Sequence, residues 1–229
     1  MNLQTQYNQA ASALSVLGYS KNLPSLPRIK KAFTAEQLAY TTKHKATLVI
    51  TPPSNLYDLI KAFDKKQKTE SYIYKYLLDQ YDLSSDKWRV DFVLPDLMFT
   101  SQTSDEQKKS LRKQQKNYKV GLQSIDPRTY VMLDAIRIEN GEKLLDGTTF
   151  TRFAQLPMKT SGGYSWVPRV DSVGGRVYLD RSRGRAYSYE GLRASVGLEL
   201  NTSTSPLPDS FSSELPEELT INGKMYRAV

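Results

Sequence analysis

Gly191-Leu192-Arg193-Ala194-Ser195-Val196-Gly197-Leu198-Glu199-Leu200 is the stretch that decides the architecture. Leu192, Ala194, Val196, Leu198 and Leu200 recur at every second position, with Arg193, Ser195, Gly197 and Glu199 between them. A period of two is that of a strand whose successive side chains point to opposite faces. The segment therefore predicts a strand with its apolar face laid on a core. Upstream, Trp88, Val90, Phe92 and Leu94 alternate with Arg89, Asp91 and Val93 and predict a second, half-buried strand that Pro95 terminates.

From Thr148 onward the texture is glycine, Thr, Ser and aromatics in short alternating runs. Gly162-Gly163 and Gly174-Gly175 mark turns, Val177 and Leu179 alternate with Arg176, Tyr178 and Asp180, and Ser182-Arg183-Gly184-Arg185 reads as a hairpin loop. Asn201 to Pro216 is rich in Ser, Thr and Pro and reads as a linker. Asn222-Gly223, between Leu219-Thr220-Ile221 and Lys224-Met225-Tyr226, predicts a terminal hairpin.

The first half reads as helices. Ala10, Leu14 and Leu17 lie at helical spacing with Gly18 as a stop, which suggests a peripheral helix or arm. Thr34 with Gln37 makes a capping box for a helix through about Lys43. Ala46 to Ile50 is a short apolar run ended by Thr51-Pro52-Pro53. Ser54 can then cap a helix with Leu56, Leu59, Ile60 and Phe63 on one face. Ser71 to Tyr81 reads as helix, although Tyr72, Tyr74 and Tyr76 also alternate as in a strand. Ser101 to Tyr118 is so polar that it predicts an exposed helix. Asp126-Pro127 opens another, with Tyr130, Leu133 and Ile136 inward and Asn140-Gly141 at its end.

These readings give an α+β protein with an α-rich N-terminal half, a β-rich C-terminal module and a C-terminal hairpin. The expected divisions are residues 1–120, 121–200 and 201–229.

Composition narrows the function classes. With no cysteine, thiolate metal sites, disulfide scaffolds and cysteine nucleophiles are excluded, while reducing and oxidising compartments are served alike. The N-terminal residues lack a signal-peptide pattern and no apolar run approaches membrane-spanning length. A soluble cytoplasmic or virion location without membrane insertion is expected. The single histidine, His44, sits in a polar helix end and excludes a histidine metal cluster within one copy, and no phosphate-binding glycine loop or nucleophile elbow occurs. Acidic residues cluster at Asp82, Asp86, Asp91 and Asp96, and Asp82-x-Ser84-x-Asp86 resembles the opening of a calcium loop, but Lys87 and Val93 stand where glycine and glutamate are required. Turn carboxylates are the simpler reading, and a carboxylate magnesium site for a nuclease is the third hypothesis. No catalytic residues, metal or cofactor are expected.

The net charge of +8 directs attention to two basic features. Lys109, Arg112, Lys113 and Lys116 form a stripe at helical spacing, for which a solvated helix face is the plainer account. Arg176, Tyr178, Arg181, Arg183, Arg185, Tyr187 and Tyr189, with Arg193 beyond them, concentrate the residue types enriched in binding hot spots. Arginine forks and aromatic faces also suit phosphates and bases.

The order of several motifs carries a resemblance: the Pro127 helix, Phe150-Thr151-Arg152-Phe153, Val167-Pro168, Gly175-Arg176-Val177-Tyr178-Leu179, and the run from Gly191 to Gly197. In that order the segment from Asp126 to Leu200 resembles a C-type-lectin-like module of phage receptor-binding proteins, diversity-generating-retroelement variable proteins and formylglycine-generating-enzyme relatives. The resemblance implies a structural role for Gly191, Leu192 and Arg193 at the start of the final strand, and a scaffold whose loops bind a partner, on a virion in its concrete form. Disulfides, catalytic cysteines and calcium-binding acids of that superfamily are missing, so neither its enzyme activity nor calcium-dependent sugar binding is implied. The expectation is a non-catalytic binding or assembly protein, part of an oligomer or larger assembly, with a protein or surface ligand as partner. The alternative is a nucleic-acid-binding protein using the basic helix 105–119 and the Arg/Tyr-rich region 176–193.

Overall fold

The computed structural model describes residues 2–74, 83–153, 156, 158–159, 165–183, 185–201, 218–221 and 224–227. Among them are the helices α1 (Leu3–Val16), α2 (Leu26–Ala32), α3 (Ala35–Lys43), α4 (Leu56–Gln67), α5 (Ser104–Tyr118) and α6 (Pro127–Glu139). The strands are β1 (Thr47–Thr51), β2 (Ser54–Asn55), β3 (Tyr72–Ile73), β4 (Ser84–Ser85), β5 (Trp88–Met98), β6 (Leu122–Ser124) and β7 (Phe150–Arg152). They continue with β8 (Met158–Lys159), β9 (Ser165–Val173), β10 (Arg176–Arg183), β11 (Glu190–Leu200), β12 (Glu218–Ile221) and β13 (Lys224–Arg227). Gly162, Gly163, Asp82, Gly184, the 202–216 stretch and the Asn222-Gly223 turn lie outside the described residues. The β12–β13 pair on either side of that turn is antiparallel, with Ile221 opposite Lys224.

The strand read from residues 191–200 is the hub of a nine-stranded mixed sheet, seven strands in the order β1-β5-β11-β7-β9-β10-β3, with β6 beside β11 and β8 beside β9. β11 runs antiparallel to β5 along one edge. Its other edge is divided, Glu190–Leu192 pairing in parallel with β7 and Ala194–Val196 antiparallel with β6. The fold is α+β as expected. The boundary expected at residue 120 falls inside this sheet, because β1 and β5 from the first part share it with β6 to β11, and one buried cluster runs from Ala10 to Leu200.

Local signals placed most elements. The Thr34–Gln37 capping box opens α3, and Asp126 accepts from the Thr129 amide to cap α6 with Pro127 in its first turn. Leu56, Leu59, Ile60 and Phe63 form the buried face of α4, capped by Asn55 rather than Ser54, which pairs with Ser85 in the short β2–β4 ladder. Gly174 and Gly175 both have positive φ, +62° and +82°, as a two-residue hairpin turn between β9 and β10 requires.

Tertiary structure overrides other readings. β5 continues through Pro95 to Met98, since the ladder with β11 shifts register between Arg193 and Ser195 and asks no amide of the proline. β5 is also a central strand, buried on both faces from Val90 to Leu94 rather than half-buried. Tyr72–Ile73 is a strand parallel to β10, not a helix, while residues 75–82 lie outside the described set. β10 and β11 are not neighbours, so Ser182–Arg185 does not close a hairpin between them.

The N-terminal segment is no arm. Ala10, Ala13 and Leu14 are fully buried, and Gln6 of α1 covers the open edge of β1, donating to the Ala46 carbonyl (3.3 Å) and accepting from the Leu48 amide (2.6 Å). α5 is not wholly exposed either: Ser104, Gln107 and Leu111 are buried.

The sheet has two unlike faces. One carries Asp91, Ser195 and Ser172 and is covered by α6, whose Thr129 bonds Asp91 and whose Tyr130 and Asp134 bond Ser172. The other is covered over its β5–β11 half, where Phe33 meets Phe92 edge-on at 5.0 Å and Gln107 reaches the Glu190 carbonyl. Over β7, β9, β10 and β3 the same face carries half-exposed Phe150, Arg169, Asp171, Tyr178 and Asp180 and exposed Tyr72. No helix among the described residues is long and apolar enough to cross a membrane.

Candidate binding face

Polar clusters at Asp91 and at Arg193 keep the second face of β11 from solvent, and a third, at Glu190, lies on the Leu192 face. At one end, the buried Asp91 carboxylate accepts from Arg89 (2.7 and 3.0 Å), Thr129 (2.9 Å) and Ser195 (2.8 Å). It lies across Gly197, where an added Cβ would stand 1.9 Å from Asp91 Oδ1. In the middle, Arg193 donates to Asp146 (2.9 Å) and to the Pro95 carbonyl (2.5 Å), while Thr149 and Thr151 also donate to Asp146. Beside it, Asp134 accepts from Ser172 and from the Leu145 amide, and burial pushes its carboxyl up to about 6 despite those bonds. Burial likewise drives the Tyr130 hydroxyl well above its ordinary range.

The third cluster supports the open part of the sheet. Arg152, fully buried, donates through Nε to Glu190 Oε2 (2.7 Å), and its Nη2 forms an ion pair with the same oxygen at 2.5 Å. Its Nη1 reaches the Gln102 carbonyl and Gln107 Oε1, and its Nη2 the carbonyls of Arg183 (3.4 Å) and Arg185 (2.6 Å). The other carboxylate oxygen of Glu190 accepts from Arg169 (2.7 Å). One guanidinium thus ties β7 and β11 to the α5 entry and to the segment leading into Tyr187 and Tyr189.

Above this cluster lies a row of rings. Tyr187 stacks on Tyr189 at 5.3 Å, Tyr189 meets Phe150 at 5.8 Å, and the Arg169 guanidinium sits 4.0 Å from the Phe150 centroid. Across β9 and β10 the pairs Tyr178–Asp171 and Asp180–Arg169 continue the face, and Tyr72 stands opposite Tyr178. Tyr72, Phe150, Arg169, Asp171, Tyr178 and Asp180 line a shallow, open depression of about 520 Å³. Burial raises the Asp171 carboxyl to about 6, with Asp146 and Asp180 adding to the shift against the pull of Arg169.

The Arg/Tyr group expected to act together is therefore divided. Tyr178 with exposed Arg176, and Tyr187 with Tyr189, belong to the open face or its rim. Arg181 turns to the Tyr74 ring, 4.7 Å from its centroid. Arg183 and Arg185 have exposed side chains and give the face their backbone carbonyls, as acceptors for Arg152. Arg193 is only 4% exposed and is internal, a correction whose cause is the pairing with Asp146. Lys109, Arg112, Lys113 and Lys116 are all exposed on α5, away from Gln107 and Leu111.

Phe150, Arg169 and Asp171 were not singled out by the sequence, because they reach the face from strands that only the sheet order makes neighbours. Of the acidic group, Asp86 and Asp96 are exposed and Asp91 is enclosed by Arg89, Thr129 and Ser195. Among the described residues no three His, Asp or Glu side chains gather as metal ligands. His44 caps α3 and packs 4.2 Å from the Tyr40 ring. No family model, curated protein or solved structure matches the chain, and the C-type-lectin-like reading of residues 126–200 rests on its motifs.

Proposed function

We propose that the protein is a non-catalytic binding or assembly protein whose open half-sheet is its contact surface for a protein partner. The observation that carries this reading is the aromatic face itself. Tyr72 and Tyr189 are 51% and 41% exposed, beside Phe150, Tyr178 and Tyr187, and the buried Arg152–Glu190 pair on the same face lies against Tyr187 and Arg169. Tyrosine and arginine on a preorganised surface supply contact area at small entropic cost, as binding hot spots do. Asp171 and Asp180 interleave with Arg169 and Arg176, so the face has mixed charge and suits a polar protein surface better than a phosphate backbone. The motif resemblance supports a virion or host-recognition setting for that role.

Hydrogen exchange of the chain alone and with the protein it is recovered with from its native source tests the reading. Added protection in β9, β10 and residues 187–189, with α5 unchanged, is expected. Protection confined to α5 or to α4 would move the contact surface elsewhere.

A further inference from the structure

The C-terminal ends of α3 and α5 meet in a second ring cluster, remote in composition from the mixed-charge face above. Tyr40 lies 4.2 Å from His44 and 5.2 Å from Tyr118, and His44 lies 6.5 Å from Tyr118. Tyr118 is 48% exposed and His44 is half-exposed, so the outer rings of the cluster are open to solvent while Tyr40 packs against the core. Exposed cations stand close by in the chain: Lys43 and Lys45 flank His44, Lys119 follows Tyr118, and Lys116 lies two residues before it. From there the stripe of Lys116, Lys113, Arg112 and Lys109 runs back along the outer side of α5. Residues 107–119 contain no Asp or Glu, nor do residues 38–46. None of these cations forms an ion pair among the described residues, whereas Arg89, Arg128, Arg137, Arg152, Arg169 and Arg193 all do.

We infer that this surface binds single-stranded nucleic acid, the α5 stripe and Lys43, Lys45 and Lys119 tracking phosphates while Tyr118 and His44 receive unstacked bases. Uncompensated cations attract a polyanion, but a solvated helix face would do the same without rings. The added observation is the exposed aromatic cluster at the end of the stripe. Duplex DNA keeps its base faces stacked inside and cannot use such rings, whereas a single strand can stack on them whatever its sequence. The inference is independent of the open sheet face, which shares no residue with this surface.

Fluorescence anisotropy with labelled oligothymidylate, and with a duplex of equal length, tests it. Oligothymidylate should bind more tightly than the duplex, with a log–log salt slope of about −3 to −5, from roughly four to seven phosphates at about 0.7 each. Lys113→Gln with Lys116→Gln should make that slope shallower by about 1.4. Tyr118→Ala should weaken binding at least about fivefold at low and high salt with the slope unchanged, and Tyr118→Phe should restore it. Tyr187→Ala with Tyr189→Ala should leave binding unchanged. Absence of oligothymidylate binding at low salt would overturn the inference. So would equal affinity for duplex and strand together with an unchanged Tyr118→Ala. If Tyr118→Ala does not fold, the lysine pair and Tyr118→Phe decide: an unaltered slope, or a loss in the Phe variant, also overturns it.

Discussion

Replacing Arg152 by Met should unfold more of the open sheet face than any other single change on its strands. The side chain is fully buried and its guanidinium serves Glu190, Gln107 and the carbonyls of Gln102, Arg183 and Arg185 at once. Removing one partner of a buried ion pair costs about 3–5 kcal/mol, because the other charge stays behind uncompensated. Here Arg169 remains on Glu190 at 2.7 Å, which favours the lower end. Against that, each carbonyl left without a donor and shielded from water adds about 1 kcal/mol. The expected loss is therefore about 4–6 kcal/mol, depending on how many of the three carbonyls water reaches, in urea unfolding followed by far-ultraviolet circular dichroism and tryptophan fluorescence, with an unchanged m-value. Arg152→Lys keeps the charge but not the fork, and should recover less than half of the loss. Arg152→Met with Glu190→Leu removes both charges and should be more stable than Arg152→Met alone. A loss below about 1 kcal/mol for Arg152→Met, the level of exposed sites, would refute the claim that this network braces the face.

Three further outcomes follow from the interior. Gly197→Ala places a methyl into the space of the Asp91 carboxylate, so urea unfolding should show a loss at or above the roughly 1–3 kcal/mol of ordinary overpacking; a neutral result would mean that β5 and β11 are not in this register. Leu133→Ala, at a side chain 4% exposed on α6, should cost about 2–5 kcal/mol, and a loss under about 1 kcal/mol would show that this helix face is not packed. Asp134 has a folded-state pKa of about 6, above its unfolded value near 4, so the folded state holds the proton more tightly. Its contribution is greatest below the unfolded value and falls, by about 3 kcal/mol, as pH rises through the folded one. Asp134→Asn should flatten the wild-type stability profile in that window, and parallel profiles for the two proteins would contradict the assignment.

What could be read from the sequence was what short-range physics determines. The capping box at Thr34, the Asp126-Pro127 start of α6, the apolar face of α4 and the alternation of β11 are each set by neighbours within four residues. Alternation says which residues share a face, not whether the second face is covered. Arg193 and Ser195 therefore looked like surface until α6 and Asp146 enclosed them. Pro95 read as a terminus because a register shift is a property of two strands. Tyr72-Ile73 read as helix because its partner, β10, lies a hundred residues away. At the binding face, Tyr178, Tyr187 and Tyr189 were legible as a local concentration. The ring of Phe150 and the charges of Arg169 and Asp171 join them only through the β7–β9–β10 order. Arg152 had one signal of its own, a lone cation between aromatics in Phe150-Thr151-Arg152-Phe153.

The claim that the open half-sheet is the partner surface is tested most directly by two alanine sets. Tyr187→Ala with Tyr189→Ala removes rings of the face, while Arg181→Ala, Arg183→Ala and Arg185→Ala removes charges that the structure places at its margin or turned away from it. Binding of each to the protein recovered with the chain from its native source would be measured by calorimetry at low and high salt. The tyrosine pair should lose about 1 kcal/mol or more per ring at both salt levels, and the arginine set should lose a smaller amount, mainly at low salt. Silent tyrosines, with binding that disappears for the arginine set and falls steeply with salt, would contradict the account and give the surface to a polyanion.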